Sequence, residues 1–393
     1  MDFHSRSIGT RSFVRCLRGL AACAFFLGAA LRADAQVTAA AGYTPPDDTP
    51  AIKVGGVIFA DYTYQQKPTA KDAAGSEYNP SSFNVTRAYI NVTGNVSHIV
   101  AFRITPDVVR ASLPGTSLDG SLTYRLKYAY AQINLDDWLP KGTWVRLGMQ
   151  QTPFIDSVEG VYRYRFQGTV FPEREGYMSS ADLGVTFHTT FPNNYGDVHV
   201  GFYNGEGYAK PELNNEKAFK ARVGFKPLPR NPLLKTWRLQ VFQTWDKYMI
   251  NAPRNRTVFN TTFEHPYVNL GIDYLATTDK TTAVLTNNLP APTLDGKGWS
   301  FWLTPKKPFA NGSSIESLIR YDHLEPGGTA GATAIASPDG LNERTIIGGA
   351  YWFPKQGSVS AAIMFDAQYE KFKNWTPVKA DNTRFFIHSL ISF

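Results

Sequence analysis

The stretch FKARVGF, residues 219–225, decides the fold. Its first, third, fifth and seventh residues are apolar, and they alternate with Lys220, Arg222 and Gly224. Successive side chains of a β-strand point to opposite faces, so this stretch predicts a strand with one apolar face and one polar face. The same two-residue period returns at 144–150, 182–189 and 237–244.

The pattern repeats from Ala51 to the end of the chain, as about ten alternating residues followed by a turn rich in Pro, Gly, Asn and Asp. It predicts an all-β antiparallel barrel of about sixteen strands, an even number that is typical of bacterial transmembrane barrels. The even count depends on the strand at 255–264. The predicted strands lie near 53–64, 83–95, 98–106, 122–134, 144–152, 182–190, 197–204, 217–226, 236–247, 255–264, 267–276, 298–305, 314–324, 343–353, 358–370 and 382–393.

The connections between these strands alternate in length. Short ones lie near 94–98, 136–142, 192–196, 227–235 and 308–313. Long ones span 65–82, 107–121, 153–181, 248–254, 277–297, 325–342 and 371–381. Short periplasmic turns and longer outer loops produce this alternation in a membrane barrel. No linker or change of composition divides residues 36–393, so they predict one barrel domain.

Composition narrows the fold class further. The 393-residue chain has a mean hydropathy of −0.27 and no apolar run of membrane-spanning length, which excludes a helical membrane protein. Its 43% hydrophobic content excludes an intrinsically disordered chain. Cys16 and Cys23 are its two cysteines, and their place near the N-terminus excludes a disulfide scaffold.

A soluble β-sandwich also alternates, but two features favour a membrane barrel. The C-terminal strand at 382–393 alternates and ends on Phe393. Together with a signal peptide, such an end resembles the recognition signal of outer-membrane proteins. The other feature is that aromatic residues lie at strand ends, where a barrel meets the lipid head groups. They are Tyr62, Tyr64, Trp138, Trp144, Trp237, Trp245, Tyr248, Trp299, Trp302, Tyr351, Trp352 and Phe353.

Residues 1–35 predict a cleavable secretory signal peptide. Basic residues precede the apolar stretch 19–31, and Ala33-Asp34-Ala35 fits the small-residue site of signal peptidase. Removing residues 1–35 takes away five of the 40 Lys and Arg and two of the 33 Asp and Glu, which leaves a charge of +4 and no cysteine. So mild a charge does not indicate a nucleic-acid partner.

If the apolar face of each strand meets lipid, the other face lines the lumen. The predicted inward bases are Arg87, Arg103, Arg146, Lys220, Arg222, Arg238, Arg256, Arg320 and Arg384. The predicted inward acids are Asp61, Asp182, Asp273, Glu316, Asp322, Asp366 and Glu370. Bases dominate up to the tenth strand and acids in the C-terminal third, and such unequal charge around a pore wall favours ions of one sign. The alternative is that these side chains are simply solvated or paired with one another.

The longest connection, 153–181, predicts a constriction loop folded into the barrel. It is rich in aromatic and basic residues, and loops of this length are usually functional. Arginine offers several donors in a fixed fork, which suits transient contacts with phosphate or carboxylate. Arg163, Arg165 and Arg174 are therefore candidate anion contacts. The alternative is an outer loop that packs on its neighbours.

The sequence lacks the motifs of the common catalytic sites. It contains no phosphate-binding loop, zinc-protease motif or nucleophile elbow, and a mature chain without cysteine forms no Cys/His cluster. The histidines of the mature chain are scattered along it. We therefore predict no enzymatic activity, no catalytic residues, no metal and no cofactor.

Several short motifs resemble the phosphate-selective porin O and P family. They are RAYINVTG at 87–94, YAYAQI at 128–133, VRLGMQQTPF at 145–154 and the terminal strand at 385–393. The resemblance implies a sixteen-stranded trimeric porin, some members of which conduct phosphate or polyphosphate through inward arginines and lysines. By position it implies that Lys220 and Arg222 join the three loop arginines as anion contacts. The chain departs from the family in having acids among its bases rather than an unbroken basic ladder.

These features predict a water-filled channel in the outer membrane of a Gram-negative cell, for passive diffusion of small hydrophilic solutes, with a preference for anions such as phosphate. One alternative is a general or carbohydrate-type diffusion porin without phosphate selectivity. Others are a non-conducting structural or adhesive barrel and an outer-membrane enzyme with a Ser/His pair on its outer wall. The expected partners are the solutes, outer-membrane lipid and further copies of the chain in a homotrimer.

Overall fold

A closed barrel of antiparallel strands forms most of the described chain. The computed structural model describes residues 48–212, 214–249, 252–280, 293–330 and 335–393, so the signal peptide predicted at 1–35 lies outside the described residues. Sixteen strands within these ranges make up the barrel wall. They are β1 (Ala51–Lys67), β2 (Ser81–Asn95), β3 (Val100–Arg110), β4 (Leu122–Asn134), β5 (Trp144–Gln151), β6 (Ala181–Thr190), β7 (Gly196–Tyr203), β8 (Ala218–Phe225), β9 (Arg238–Trp245), β10 (Ala252–His265), β11 (Val268–Lys280), β12 (Thr293–Pro308), β13 (Ser314–Glu325), β14 (Leu341–Trp352), β15 (Ser360–Lys373) and β16 (Asn382–Ser392).

Each strand pairs with the next along the chain, and β16 returns to pair with β1, which closes the sheet. Closure brings the C-terminal Phe393 onto Gly56. The backbone N–H of Phe393 donates to the Gly56 carbonyl at 3.0 Å, and the Gly56 N–H donates back at 2.9 Å. A β-carbon at position 55 would lie 2.6 Å from the backbone carbonyl oxygen of Phe393, so glycine is needed at 55.

The connections carry little regular structure. Helices α1 (Pro153–Glu159) and α2 (Phe171–Arg174) lie between β5 and β6, and a short 3-10 helix spans Pro192–Asn194. Two small hairpins pair Ala70–Lys71 with Glu77–Tyr78 and Thr329–Ala330 with Ile335–Ala336. None of the helices in the described ranges is both long and apolar enough to cross a membrane.

The predicted alternation gives the wall two different faces. Leu147 on the outer face is 67% exposed, whereas its neighbour Arg146 points inward and is 0% exposed. In β8, Arg222 is buried and the next residue, Val223, is exposed. The outer face is a belt of exposed Leu, Ile, Val, Phe and Tyr side chains, which suits contact with lipid.

All sixteen predicted strands are present, including the one at 255–264, which forms β10. Several are longer than predicted because regular pairing continues past the polar stretches that suggested loops, as in β3 and β12. The long loop predicted at 248–254 is wrong, since Lys247–Met249 pairs with the start of β10 and the connection is 246–251. A longer connection that was not predicted, 204–217, joins β7 to β8.

Three aromatic residues predicted at the lipid interface face the lumen instead. Trp144, Trp302 and Trp352 are nearly fully buried. Trp302 and Trp352 pack against rings of the β5–β6 connection, and Trp144 stacks on His188 with ring centroids 5.0 Å apart. Each of these three tryptophans is therefore buried against another ring inside the barrel and does not lie among the lipid head groups.

Candidate functional site

The connection between β5 and β6, residues 152–180 and hereafter L3, crosses the interior of the barrel. Asn269 on β11 donates its side-chain amide to the Val161 carbonyl of L3 at 3.1 Å. Tyr164 of L3 donates its hydroxyl proton to Glu316 on β13 at 2.9 Å. Because β13 lies half-way round the barrel from β5, these bonds confirm that the predicted constriction loop folds inward.

Local sequence explains how L3 enters the lumen. Pro153 opens α1, where its restricted φ suits the first helical position. Phe154, Ile155 and Val158 are buried on the helix. The Phe154 ring lies 5.7 Å from that of Phe242, an inward residue of β9. Helix α1 therefore packs against the wall at β8 and β9.

The inward residues of β10–β16 and β1 include a large apolar cluster, and we call this side the apolar half of the lumen, although buried charged side chains such as Arg320 and Asp322 stand among its apolar ones. The Tyr162 ring of L3 lies 5.2 Å from that of Trp302, and the Phe166 ring lies 5.9 Å from that of Trp352. The wall residues in this cluster are Val57, Phe59, Val258, Leu275, Trp302, Leu318, Leu324, Ile346, Ala350, Trp352, Ala362, Met364 and Leu390. Burying one large apolar side chain contributes about 1.5–3 kcal/mol, so a shared hydrophobic core holds L3 against this half.

The inward residues of β2–β9 are mostly polar, with aromatic rings such as Trp144 and Phe242 among them, and we call this the polar half of the lumen. The buried members include Asn91, Arg103, Thr105, Asp107, Lys127, Gln132, Arg146, Gln150, Asp182, His199, Lys220, Arg222 and Gln240. Four of the predicted inward bases are in this set, and two more, Arg87 and Arg238, lie half-buried beside them. The division into two halves was not expected, because alternation alone assigns every apolar face to lipid.

Two acids that were not singled out in the sequence pair with these bases. Asp197 on β7 binds Arg222, and its Oδ1 lies 3.7 Å from Nη1 of Arg238. Asp107 on β3 has its Oδ2 3.8 Å from Nε of Arg87. The alternation along β7 identifies Asp197 as an inward residue. Asp107 lay in the stretch 107–121, which was predicted to be a loop. The bases are therefore more nearly neutralised than the sequence suggested.

Lys220 is neutralised in the same way, because its ammonium group donates to Asp182 at 2.6 Å. Arg103 differs. Its Nε donates to Thr105 Oγ1 at 3.0 Å and its Nη2 to Asn91 Oδ1 at 2.9 Å, and its guanidinium lies 4.5 Å from the Tyr128 ring centroid. Across the residues that the structure describes, no carboxylate forms an ion pair with Arg103.

Arg146 stands on the neighbouring part of the wall, on β5. It donates to Gln132 Oε1 at 2.7 Å and to Gln151 Oε1 at 3.2 Å, and its guanidinium lies 3.8 Å from the Trp144 ring centroid. Rings and amides hold the planar guanidinium in one orientation, which fixes the position of its charge on the wall.

The first two arginines of L3 form ion pairs with acids of the protein itself. Arg163 donates to Glu316 at 3.2 Å. Arg165 lies between two acids of L3, with Nε 2.7 Å from Glu159 Oε1 and Nη2 3.7 Å from Glu173 Oε2. Burial, opposed by Arg165 and aided by the second glutamate, raises the pKa of Glu159 to about 7. These contacts make both arginines structural links of L3.

The third arginine of L3, Arg174, donates to Gln167 Oε1 at 3.0 Å. Burial, together with the nearby cations Arg320 and Arg344, lowers the pKa of Arg174 to about 9. No carboxylate in the described ranges forms an ion pair with it. The three predicted anion contacts of L3 thus have three different environments.

Arg344 on β14 fastens the end of L3 to the wall. It binds Glu175 of L3 and Glu370 of β15, and its Nη1 lies 3.7 Å from Asp322 Oδ2. Two of the predicted inward acids, Glu370 and Asp322, therefore serve to anchor the loop.

Asp156 on α1 is the acid of L3 that faces the polar half. It is half-buried, and no described residue forms a hydrogen bond or ion pair with its side chain. Burial raises the pKa of Asp156, while the positive charges of Arg146, Arg103 and Arg222 oppose that rise. The part of the lumen between α1 and the wall thus has an acid on one side and arginines on the other.

The histidines within the described ranges show no metal-binding arrangement. His188 lies 2.7 Å from the Gly142 carbonyl through Nδ1 and 3.2 Å from Asp197 Oδ2 through Nε2. In the described ranges, no group of three or more His, Cys, Asp or Glu side chains is placed to hold a metal ion.

No family profile and no curated protein matches the sequence. Solved structures match its fold. An anion-selective porin from Comamonas acidovorans has a TM-score of 0.57 at 10% identity, covering 88% of this chain and 100% of that one. The outer membrane channel DcaP of Acinetobacter baumannii has a TM-score of 0.54 at 11% identity, covering 90% and 100%. The trimer form of OmpT, an outer membrane protein of Vibrio cholerae, has a TM-score of 0.50 at 13% identity, covering 88% and 100%. The chain is thus built on the sixteen-strand barrel fold of bacterial outer-membrane porins.

Proposed function

We propose that the chain is a porin of the bacterial outer membrane, through which small hydrophilic solutes diffuse passively, with a preference for anions such as phosphate. The observation that carries the proposal is the divided lumen. L3 covers the apolar half and leaves a polar half on which Arg103, Arg146 and Arg222 are fixed. An apolar outer belt around a polar interior is what a solute channel through lipid requires.

The preference for anions rests on the charges beside the passage. Arg103 and Arg146 project from the wall, and Asp156 faces them from L3. Fixed charges of opposite sign on two sides of a narrow passage create a transverse field that orients charged solutes. The bases of the polar half still outnumber its acids, so the passage concentrates anions: Arg87, Arg103, Lys127, Arg146, Lys220, Arg222 and Arg238 stand against Asp107, Asp156, Asp182 and Asp197.

Among the predicted anion contacts, the environments favour some over others. Arg103 and Arg174 have neutral hydrogen-bond partners in the described ranges, so no described acid cancels their charges. Arg163, Arg165 and Lys220 are held by acids and contribute mainly to the local field. We propose that Arg103 and Arg174 make the direct contacts.

The same proposal covers location and assembly. The exposed apolar belt supports placement in outer-membrane lipid after removal of residues 1–35. A homotrimer is proposed from the family resemblance, and the trimer form of OmpT is consistent with it. We propose no catalytic activity and no cofactor.

A planar lipid bilayer with a gradient of potassium chloride tests the channel and its selectivity. The purified protein should give steady conductance and a reversal potential that reports chloride over potassium. Arg103→Gln should lower the chloride-to-potassium permeability ratio several-fold, whereas Lys71→Gln, an exposed cation of the first outer loop, should leave it unchanged. Cation preference in the parent protein would contradict the anion part of the proposal.

Phosphate titrated into the chloride solution tests the proposed preference for phosphate. Chloride current in the parent should fall as phosphate occupies the passage, and Arg103→Gln and Arg174→Gln should weaken that block. A parent channel that phosphate leaves unblocked would be a general diffusion porin.

A non-conducting structural barrel is the second candidate, because L3 shares a hydrophobic core with half of the wall and so occupies much of the lumen. The bilayer recording separates the two, since a plugged barrel gives no current steps.

A further inference from the structure

The connection between β8 and β9, residues 226–237 and hereafter T4, differs in composition from the other turns at its rim. It lies at the rim where β1 begins and β16 ends. It contains no Asp or Glu. Its cations are Lys226, Arg230 and Lys235, and its leucines are Leu228, Leu233 and Leu234. T4 is thus a cationic and apolar segment at one end of the barrel.

Hydrogen bonds give T4 a defined shape. The Asn231 side-chain oxygen accepts the backbone N–H groups of Leu233 and Leu234 at 2.9 and 3.0 Å, which is the bonding of a helix N-cap. The N–H of Lys235 donates to the Asn231 carbonyl at 3.0 Å. Leu233 is nevertheless 66% exposed. T4 is therefore a hydrogen-bonded turn whose leucine side chains are exposed at the surface.

The leucines of T4 continue the apolar outer belt. Phe225 at the end of β8 and Leu239 in β9 are exposed on the outer face. Tyr195, in the neighbouring turn, stacks on Phe225 with ring centroids 6.4 Å apart and an interplanar angle of 14°. The exposed leucines of T4 thus lie in sequence between exposed apolar residues of both flanking strands.

Two of the three cations of T4 have no pairing partner among the described residues. Arg230 and Lys235 are exposed, and no residue that the structure describes forms an ion pair or hydrogen bond with either side chain. Lys226 is half-buried and donates to Asn194 at 2.9 Å. Exposed cations beside an apolar surface at the membrane boundary match the phosphates of anionic lipids.

We infer that T4 is a lipid-binding turn whose occupants are anionic phospholipids of the leaflet at this rim. Leu233 and Leu234 insert at the level where head groups meet acyl chains, and Arg230 and Lys235 bind the phosphodiesters. The inference rests on the membrane location in the proposed function and is independent of conduction.

Native mass spectrometry of the detergent-purified protein tests this inference. The protein is mixed with equal amounts of palmitoyl-oleoyl phosphatidylglycerol and palmitoyl-oleoyl phosphatidylcholine, and the lipids that stay bound are counted. The parent should retain more of the anionic lipid. The double variant Arg230→Gln/Lys235→Gln should bind the two lipids equally, and Leu233→Ser/Leu234→Ser should bind less of both.

The matched control is Lys67→Gln/Lys71→Gln, which removes two exposed cations at the opposite rim and should keep the parental preference. Heat-modifiable migration on a gel checks that each variant is folded. A parent without preference, or an Arg230→Gln/Lys235→Gln variant that keeps it, would overturn the inference. Conductance recorded on the same preparations tests the porin proposal separately, because lipid preference does not require an open lumen.

Discussion

Arg163 and Glu316 join L3 to the opposite wall of the barrel, with Nη1 of the arginine 3.2 Å from Oε1 of the glutamate. Tyr164 binds the other oxygen of the same carboxylate at 2.9 Å. The pair is 153 residues apart in sequence. An arginine expected to meet passing anions is therefore used to position L3.

Glu316→Gln should loosen L3. The change leaves Arg163 without its acid and weakens two hydrogen bonds, so we expect a loss of about 1–3 kcal/mol in the free energy of unfolding and noisier single-channel current. Denaturant unfolding in detergent and bilayer recording measure the two effects. Glu325→Gln is the control, because Glu325 forms a rim pair with Lys297 and exposed pairs contribute little. Equal losses in the two variants would contradict the positioning role.

Arg165→Met and Arg174→Met should have unequal effects although both remove a cation from L3. Losing Arg165 removes the cation paired with the buried Glu159 and Glu173 and leaves, among the described residues, only the unpaired charge of Lys127 near them, which costs about 3–5 kcal/mol. The lowered pKa of Arg174 means that its charge opposes folding, so removing that charge should cost much less. Denaturant unfolding of the two variants measures the difference, and a larger loss for Arg174→Met would contradict it.

Asp156→Asn should increase the preference for anions. The change removes the acid that faces Arg103 and Arg146 and leaves the wall charges in place. The chloride-to-potassium permeability ratio from reversal potentials should rise several-fold. Asp339→Asn, at an exposed position in the connection between β13 and β14, should leave the ratio unchanged. An unchanged ratio in Asp156→Asn would place the passage away from α1.

His98 forms a pH-dependent contact at the rim where T4 lies. Its Nδ1 lies 2.5 Å from Asp48 Oδ1 and its Nε2 lies 2.8 Å from Asp137 Oδ2. The hydrogen bond to Asp48, followed by that to Asp137, raises the pKa of His98, and His98 lowers the pKa of Asp48. Protonated His98 therefore stabilises this rim fully below its unfolded pKa of about 6.5, and that stabilisation is lost as pH rises through the raised folded pKa. The part of this stabilisation that comes from ionised Asp48 is fully present above about pH 4, and it is lost as pH falls through the lowered pKa of Asp48.

His98→Gln should consequently speed hydrogen exchange of the backbone amides in the turn 96–99 at about pH 5 and have little effect at about pH 9. Exchange rates corrected for their intrinsic pH dependence measure this. His265→Gln is the control at the same rim, since no described residue pairs a carboxylate with His265. A difference between parent and His98→Gln that stays constant with pH would contradict the assignment.

Gly55→Val should weaken the closure of the barrel. A side chain at position 55 collides with the backbone carbonyl of Phe393 and disturbs the pairing of β1 with the end of the chain, which costs about 1–3 kcal/mol. Gly349→Val is the control, because the nearest atom to a β-carbon there would be 4.0 Å away. The temperature at which the folded gel band disappears should fall only in Gly55→Val. Equal temperatures would show that Phe393 does not hold the seam.

Sequence predicted the wall well because strand alternation is a local property. In β8, for example, seven residues were enough to assign both faces. The apolar half of the lumen could not be predicted in this way, since Trp302 and Met364 are inward residues whose apolar character makes sense only beside L3. The Arg222–Asp197 pair likewise depends on the register of β7 against β8, where Arg222 stands opposite His199. Register across strands is set by the whole barrel, and short motifs do not contain it.

The core shared by L3 and the apolar half has a mechanical consequence. Swinging L3 out as a flap would expose Trp302, Trp352 and their neighbours to water, at a cost comparable to unfolding a small domain. The width of the lumen is therefore fixed when the barrel folds, and a molecule wider than the lumen could cross only if part of the protein unfolded.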